Sequence, residues 1–296
     1  MPELPTLDSL LPPAVATKAE FVAVQKTHLD TLSIFLLAIL AGAFIALGGM
    51  FSTAAVTGVS QQLGYGLTKL LGGLAFCLGL ILVVVGGAEL FTGNNLLIIP
   101  VAGRRLLLRH LTQNWLVVYF GNFVGAMATA YLVYLAQWHQ AGDWAIGAMA
   151  LKIANAKCGL DFIPALVRGI YCNALVCLAV WLTYSCRTTG DKILAILFPI
   201  TAFVALEMEH CVANMYFVPL ALFIKSGTAG MIWPQGVPAM DNLTWGKFLV
   251  DNLIPVTIGN IIGGSGFVGG MYWLVYLRPS RHPPEGPPQL ESNGRK

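Results

Sequence analysis

Residues 209–214 read Glu-His-Cys-Val-Ala-Asn, and residues 89–94 read Glu-Leu-Phe-Thr-Gly-Asn. Both segments have the pattern Glu-x-x-x-x-Asn, and each lies inside a long apolar stretch. Polar residues at the centre of an over-long apolar stretch indicate a broken helix, because irregular backbone at that depth is tolerated only where protein buries it or water reaches it. The two segments therefore predict two interrupted helices whose breaks form the functional site, since half-helices that meet at the midplane direct their partial charges at a substrate.

The composition around these segments predicts a membrane protein. Hydrophobic residues make up 56% of the 296 residues, charged residues make up 10%, and the mean hydropathy is +0.72. Soluble domains carry roughly 25% charged residues. A chain as apolar as this one is therefore expected to have the bilayer as its solvent. One crossing takes roughly 20 apolar residues. Six stretches meet this length, and they cover residues 31–57, 67–100, 112–138, 160–185, 191–225 and 248–278.

Several function classes are disfavoured by the same composition. The formal net charge of +3 gives no argument for a nucleic-acid partner. The six cysteines lie mostly in apolar stretches without a Cys-x-x-Cys pair, which is typical of packing residues rather than of a disulfide or metal framework. The first 30 residues lack a long apolar core, so no cleaved signal peptide is expected. We expect no cofactor, no metal site and no catalytic residues, and hence no enzyme.

The lysines and arginines predict the orientation. The side that carries both termini and the 101–111 loop holds eleven of them, and the opposite side holds six. The positive-inside rule then places both termini in the cytoplasm. We predict a cytoplasmic amphipathic helix within residues 1–29, a channel domain of six transmembrane helices over residues 30–278, and a disordered, proline-rich cytoplasmic tail over residues 279–296.

A second repeated motif extends the similarity between the two halves. Residues 121–125 and 259–263 both read Gly-Asn-x-x-Gly, in the third and the sixth apolar stretch. Two matched pairs in the same order predict a duplication with three helices per half, and an odd number of spans forces the copies to be inverted in the membrane. Asn122 and Asn260 are interpreted as packing residues, because glycines allow close approach and amides bond across helices.

Among the ionisable residues, only one of five histidines, His210, lies deep in an apolar stretch. An ionisable group within the membrane is costly and seldom without function, and a histidine can change its charge near neutral pH. Glu89 and Glu209 are interpreted as braces of the two breaks. Lys157 and Arg168 can concentrate anions electrostatically, although Lys157 is equally compatible with an ordinary solvated loop.

At these residues the chain resembles the formate/nitrite transporter family, and within it the bacterial formate channels. The similar segments run in order along nearly the whole chain, and the closest are KLLGGLAFCLGLIL, ELFTGN, NWLVVYFGNFVGA, NALVCLAVWLTYS and EHCVANM. The resemblance implies an all-α, aquaporin-like subunit with broken helices 2 and 5, assembled as a homopentamer in the bacterial inner membrane. The substrate is then formate or a similar small anion.

The resemblance also assigns expected roles to individual residues. The central histidine corresponds to His210, with Thr92 opposite it. Polar residues near the pathway correspond to Lys157, Asn173, Glu209 and Asn214. The outer constriction corresponds to Phe76, Leu80 and Phe203, and the inner constriction and gate to Leu90 and Phe91.

Three departures from the family pattern leave the substrate open. Leu206 and Glu207 replace a pair of small residues, Arg168 replaces an apolar residue, and the Thr92-Gly93 sequence is closer to the nitrite branch. We expect a passive, pH-dependent formate channel in which the anion gains a proton near His210. A nitrite or hydrosulfide channel of the same architecture is the alternative. An aquaporin-type channel for neutral solutes is disfavoured because neither break carries Asn-Pro-Ala.

Overall fold

The computed structural model describes residues 8–278 except 232, 234–236 and 238, and within that part the secondary structure is helical without strands. The predicted tail over residues 279–296 lies outside the described residues. Ten helices are labelled here in chain order. They are α1 Pro12–Lys26, α2 Thr31–Val56, α3 Ser60–Gly86, α4 Gly93–Ala102, α5 Leu108–Leu135, α6 Ala145–Cys158, α7 Phe162–Ser185, α8 Thr189–Ala205, α9 Cys211–Gly227 and α10 Lys247–Leu277.

Five of these helices are long and apolar enough to cross a bilayer: α2, α3, α5, α7 and α10. The predicted stretch 191–225 is instead divided between α8 and α9, which have 17 residues each. The stretch 67–100 is divided between α3 and the short helix α4, which begins as a 3₁₀ turn. Both apolar stretches that carry Glu-x-x-x-x-Asn therefore contain non-helical backbone at that motif.

The non-helical residues 87–92 and 206–210 are called the first and the second break. A residue with positive φ lies at or near the start of each break. Gly87 follows α3 with φ 78°, and Glu207 lies beyond the end of α8 with φ 56°. The main chain then turns back on the helix it has left, since the amides of Ala88 and Met208 donate to the carbonyls of Val83 and Phe203, respectively. This left-handed closure ends a helix efficiently, and it is normally a glycine position.

The glycines of the two Gly-Asn-x-x-Gly motifs lie where helices cross. A methyl group on Gly125 of α5 would overlap the Ile39 carbonyl oxygen of α2. A methyl group on Gly259 of α10 would likewise overlap the Leu166 carbonyl oxygen of α7. Close backbone contact of this kind is what small residues provide in membrane helices, where lipid-facing apolar surface gives no net drive to associate.

Two helices outside the long spans, α1 and α6, also pack against the core. Helix α1 begins with two prolines, which suit the first helical turn, and buries Val15, Ala16 and Ala19 against α4 and α7. Helix α6 was not predicted from the sequence; it buries Ala150, Leu151 and Ala154 and packs on α9. Each of the two helices ends near a lysine that enters the site described next.

Candidate functional site

His210 and Thr92 meet where the two breaks meet. His210 is the N-cap of α9, and its Nδ1 accepts a hydrogen bond of 3.1 Å from the Ala213 amide. Its Nε2 lies 3.1 Å from the Thr92 Oγ1, and both side chains are fully buried. An amide N–H can only donate, so the neutral imidazole carries its proton on Nε2 and donates it to the Thr92 hydroxyl. The Thr92 hydrogen remains free for another acceptor.

Asn260 of α10 fastens the second break to its neighbours. Its Oδ1 accepts from the Cys211 amide at 3.0 Å, and its Nδ2 donates to the carbonyls of Gly169 at 2.8 Å and Glu209 at 2.9 Å. The bonds cross between helices, as expected from the motif. Two of these partners, the Cys211 amide and the Glu209 carbonyl, are backbone groups at the interruption between α8 and α9, where helix hydrogen bonds are missing, and the Gly169 carbonyl belongs to the packed helix α7.

Asn122 of α5 does the same at the first break. Its Oδ1 accepts from the Phe91 amide at 2.9 Å, and its Nδ2 donates to the carbonyls of Ala38 at 2.8 Å and Glu89 at 2.9 Å. Each of the two asparagines thus makes three bonds: to a main-chain amide and a carbonyl at its break, and to a carbonyl on a packed helix. Asn122 and Asn260 therefore have the same structural role at the two breaks.

The Glu209 carboxylate is held by a lysine and an asparagine. Its Oε1 lies 2.9 Å from the Lys157 Nζ, and its Oε2 accepts from the Asn214 amide nitrogen at 2.7 Å. Asn214 in turn donates to the Asn252 Oδ1 at 2.8 Å. The Glu209 side chain is 3% exposed and that of Lys157 is 17% exposed, so the pair is largely shielded from solvent. A buried carboxylate of this kind requires such partners.

Glu89 has matching partners at the other break. Its Oε1 lies 3.0 Å from the Lys26 Nζ at the end of α1, and its Oε2 accepts from Asn94 at 2.7 Å. Asn94 donates to the Asn114 Oδ1 at 2.9 Å. Sequence reasoning missed Lys26, because its partner lies far along the chain. The available signal was its position just before the first span, since Lys157 stands just before the fourth.

A cavity of about 380 Å³ leads to His210 from the side of Lys157. Phe76 and Phe203 line the part of the cavity nearest the histidine, with their ring centroids 5.4 Å apart in an edge-to-face arrangement. The Phe203 ring is also 5.9 Å from the imidazole. Two aromatic rings therefore lie beside His210, which itself lines the cavity.

The other expected pathway residues are buried, and Leu80, expected at the outer constriction with Phe76 and Phe203, is not among the residues that line the cavity. Leu80, Leu90 and Phe91 are each nearly inaccessible to solvent, and the Phe91 ring packs edge-to-face on Tyr119 at 4.9 Å. Asn173 donates 2.7 Å to the Asn260 carbonyl and 3.3 Å to the Thr92 carbonyl. In this arrangement Asn173 holds the backbone of the Thr92 segment.

Two of the residues that depart from the family pattern, Arg168 and Glu207, line the cavity together with Lys69 of α3. Arg168 thus faces the cavity beside the Glu207 carboxylate, which explains how α7 tolerates it. Within the part of the chain that the structure describes, no group of three or more histidine, cysteine or acidic side chains is arranged to hold a metal ion.

Long apolar helices packed around a buried polar site, which a cavity reaches, define a multi-pass helical membrane protein. Comparison with known proteins gives the family. Residues 13–274 match the model of the formate/nitrite transporter, and the chain belongs to that family.

Similar proteins in this family include channels with a named substrate. The formate channel FocA of Escherichia coli strain K12 is 42% identical over 278 residues, which cover 93% of this chain and 97% of the relative. The formate channel FocA of Haemophilus influenzae is 39% identical over 264 residues, covering 88% and 93%. A solved pentameric formate channel with formate bound has a TM-score of 0.75 at 42% identity and covers 84% of this chain and 98% of its own.

Proposed function

We propose that this chain is a passive, pH-dependent channel for formate in the bacterial inner membrane, and not an enzyme. The observation that carries the proposal is the buried His210–Thr92 pair with a lysine–glutamate–asparagine network on each side of it. The pair lies in a chain that is 42% identical to a formate channel over almost its full length. Formate is a small carboxylate, and both networks place a cation near the route to the pair.

We further propose that α3 with α4, and α8 with α9, each make one broken crossing. The chain then has six spans in an inverted 3+3 repeat of aquaporin type, with the domain limits and cytoplasmic termini predicted above. Support comes from the paired contacts, because Asn122, Glu89 and Lys26 have counterparts in Asn260, Glu209 and Lys157. Similarity to a pentameric channel supports a homopentamer, with each subunit providing its own pathway.

The proposed pathway combines attraction with a dry constriction. Lys157 and the cavity draw formate towards Phe76 and Phe203, where a bare anion meets a large cost of losing its water. A water molecule beside the His210–Thr92 pair passes a proton to formate and is reprotonated from the solution on the entry side, and the neutral formic acid crosses at far lower cost. It then passes Leu90 and Phe91 and returns the proton to water on the other side. The Thr92 hydroxyl donates to the passing carboxylate.

The function is tested with purified protein in proteoliposomes that are given formate, nitrite and hydrosulfide at equal concentration. Formate should enter faster than the other two and should be the strongest competitor for their entry. Faster nitrite entry would favour the nitrite alternative, which the Thr92-Gly93 sequence supports. Water permeation without anion transport would instead favour a neutral-solute channel.

Lys157, which pairs with Glu209 beside the cavity, gives one prediction. Replacing Lys157→Gln leaves the Glu209 carboxylate buried without its cation and removes a positive charge from the cavity. Formate influx should fall about tenfold, in the range by which focusing in charged clefts changes capture rates. Lys26→Gln should lower efflux similarly, because Lys26 has the matching position. Lys247→Gln breaks an exposed ion pair with Asp251 and serves as the control, and equal effects of all three would refute the assignment.

A further inference from the structure

Glu207 has a backbone conformation that its side chain disfavours. Its φ is 56°, in the left-handed region that glycine enters without strain. At the matching point of the first break the chain has a glycine, Gly87, with φ 78°. Glu207 therefore has a strained backbone conformation, whereas Gly87, at the matching position of the first break, has none. Strain of this kind clusters at functional sites.

The Glu207 carboxylate is bound by two cations from different helices. Its Oε1 lies 2.6 Å from the Lys69 Nζ of α3. Its Oε2 lies 4.0 Å from the Arg168 Nη1 of α7, and the same Nη1 is 3.4 Å from the Glu207 carbonyl oxygen. Lysine and arginine placed on either side of one carboxylate form an arrangement suited to carboxylates in general.

This cluster is accessible from the cavity, in contrast to the Glu209 network. The side chains of Lys69, Glu207 and Arg168 are 33%, 41% and 37% exposed. Among the described residues that line the cavity, the charged side chains are Lys69, Lys152, Lys157, Arg168, Glu207 and Glu209. Glu209 is buried on Lys157, so Glu207 is the lining carboxylate that is free to move.

We propose that Lys69 and Arg168 form a carboxylate-binding subsite at the mouth of the cavity and that Glu207 occupies it as a tethered competitor. The inference rests on the proposed function, since formate presents the same two oxygens as the glutamate side chain. An entering formate takes the place of the Glu207 carboxylate on Lys69 and Arg168 before it moves inward to Lys157. A tethered group acts at an effective concentration in the millimolar range, so Glu207 raises the formate concentration needed to fill the subsite.

The test is the formate concentration that gives half-maximal influx into proteoliposomes at low ionic strength. Glu207→Gln keeps the size of the side chain but removes the competing charge, and this concentration should fall about three- to tenfold. Glu207→Gly should give the same change and a higher melting temperature, because glycine adopts the positive φ freely. Glu207→Gly is the deciding variant if Glu207→Gln does not fold.

Two double variants separate a subsite from a general effect of charge. Glu207→Gln combined with Lys69→Gln, and Glu207→Gln combined with Lys152→Gln, carry the same formal charge. The first should lose the gain in apparent affinity, and the second should keep it, because Lys152 makes no ion pair with Glu207. Unchanged half-saturation in the Glu207 variants, or equal behaviour of the two double variants, would overturn the subsite. Absence of formate transport in the unaltered protein would overturn the proposed function instead.

Discussion

His210→Asn should lower formate influx at acidic pH by about ten- to a hundredfold and remove most of its dependence on pH. The loss corresponds to the hydrogen bond by which the Thr92 hydroxyl, oriented by the His210 Nε2, contacts the charged formate, and a hydrogen bond to a charged group is worth about 1.5–3 kcal/mol. Asparagine is a favourable N-cap and can accept from the Ala213 amide as the Nδ1 of His210 does, so α9 should still begin at Cys211. Its shorter side chain does not reach Thr92 as the imidazole does, so the Thr92 hydroxyl loses the group that orients it towards the substrate.

The measurement is initial formate influx into proteoliposomes over a pH series from about 5 to 8, on both sides of neutral pH. Thr92 supplies the matched controls. Thr92→Ser keeps the hydroxyl next to the His210 Nε2 and should retain influx, whereas Thr92→Val removes the hydroxyl at similar volume and should resemble His210→Asn. Unchanged formate transport with an unchanged pH profile in His210→Asn would refute the role given to the histidine.

Non-helical backbone at the two Glu-x-x-x-x-Asn motifs could be predicted because the signal is local. Glu89 and Glu209 are costly in the middle of apolar stretches, and that cost is readable without any structure. The helices α2, α5, α7 and α10 likewise correspond to apolar stretches of ordinary length. The ends of α3, α8 and α9 were less accessible, because a left-handed turn at Glu207 has no sequence signal when the residue is not glycine.

The contacts that complete the site could not be read from the sequence. Lys26 reaches Glu89 through the packing of α1 on α4, and Lys157 reaches Glu209 because α6 is a helix packed on α9 rather than a loop. Both depend on tertiary packing between segments far apart in the chain. The bond between His210 and Thr92 was expected only from family resemblance, since nothing in composition or spacing sets two breaks face to face.

The Gly-Asn-x-x-Gly motifs of Asn122 and Asn260 combine two structural roles, one of the glycines and one of the asparagines. The glycines of Gly-Asn-x-x-Gly indicated close helix packing, and the structure has that packing at Gly125 and Gly259. The asparagines were interpreted in the same terms. Their amides do bond across helices, to the carbonyls of Ala38 and Gly169, and they also satisfy backbone groups of the breaks, a role that becomes visible only when α5 and α10 are placed beside them.

Asn260→Ala should lower the melting temperature of the detergent-solubilised protein by about 5–10 °C. The change leaves the Cys211 amide without a partner and removes a donor from the carbonyls of Gly169 and Glu209. A buried polar group left unpaired costs about 1–3 kcal/mol, and roughly 2–4 °C of melting temperature accompanies each kcal/mol in a chain of this size class. Formate influx should fall as well, since His210 directly precedes the released amide.

Asn122→Ala should cost a similar amount, because Asn122 makes the same set of three bonds at the other break. Asn260→Asp is the sharper variant: it keeps an acceptor for the Cys211 amide but replaces the donor to the Glu209 carbonyl with an oxygen that repels it. It should therefore be at least as destabilising as Asn260→Ala, which would not hold if the side chain only filled space between α7 and α10. Asn242→Ala, at a half-buried position on the connection before α10, is the control for loss of an amide. Melting of Asn260→Asp at the temperature of the unaltered protein would show that the break is held by packing alone.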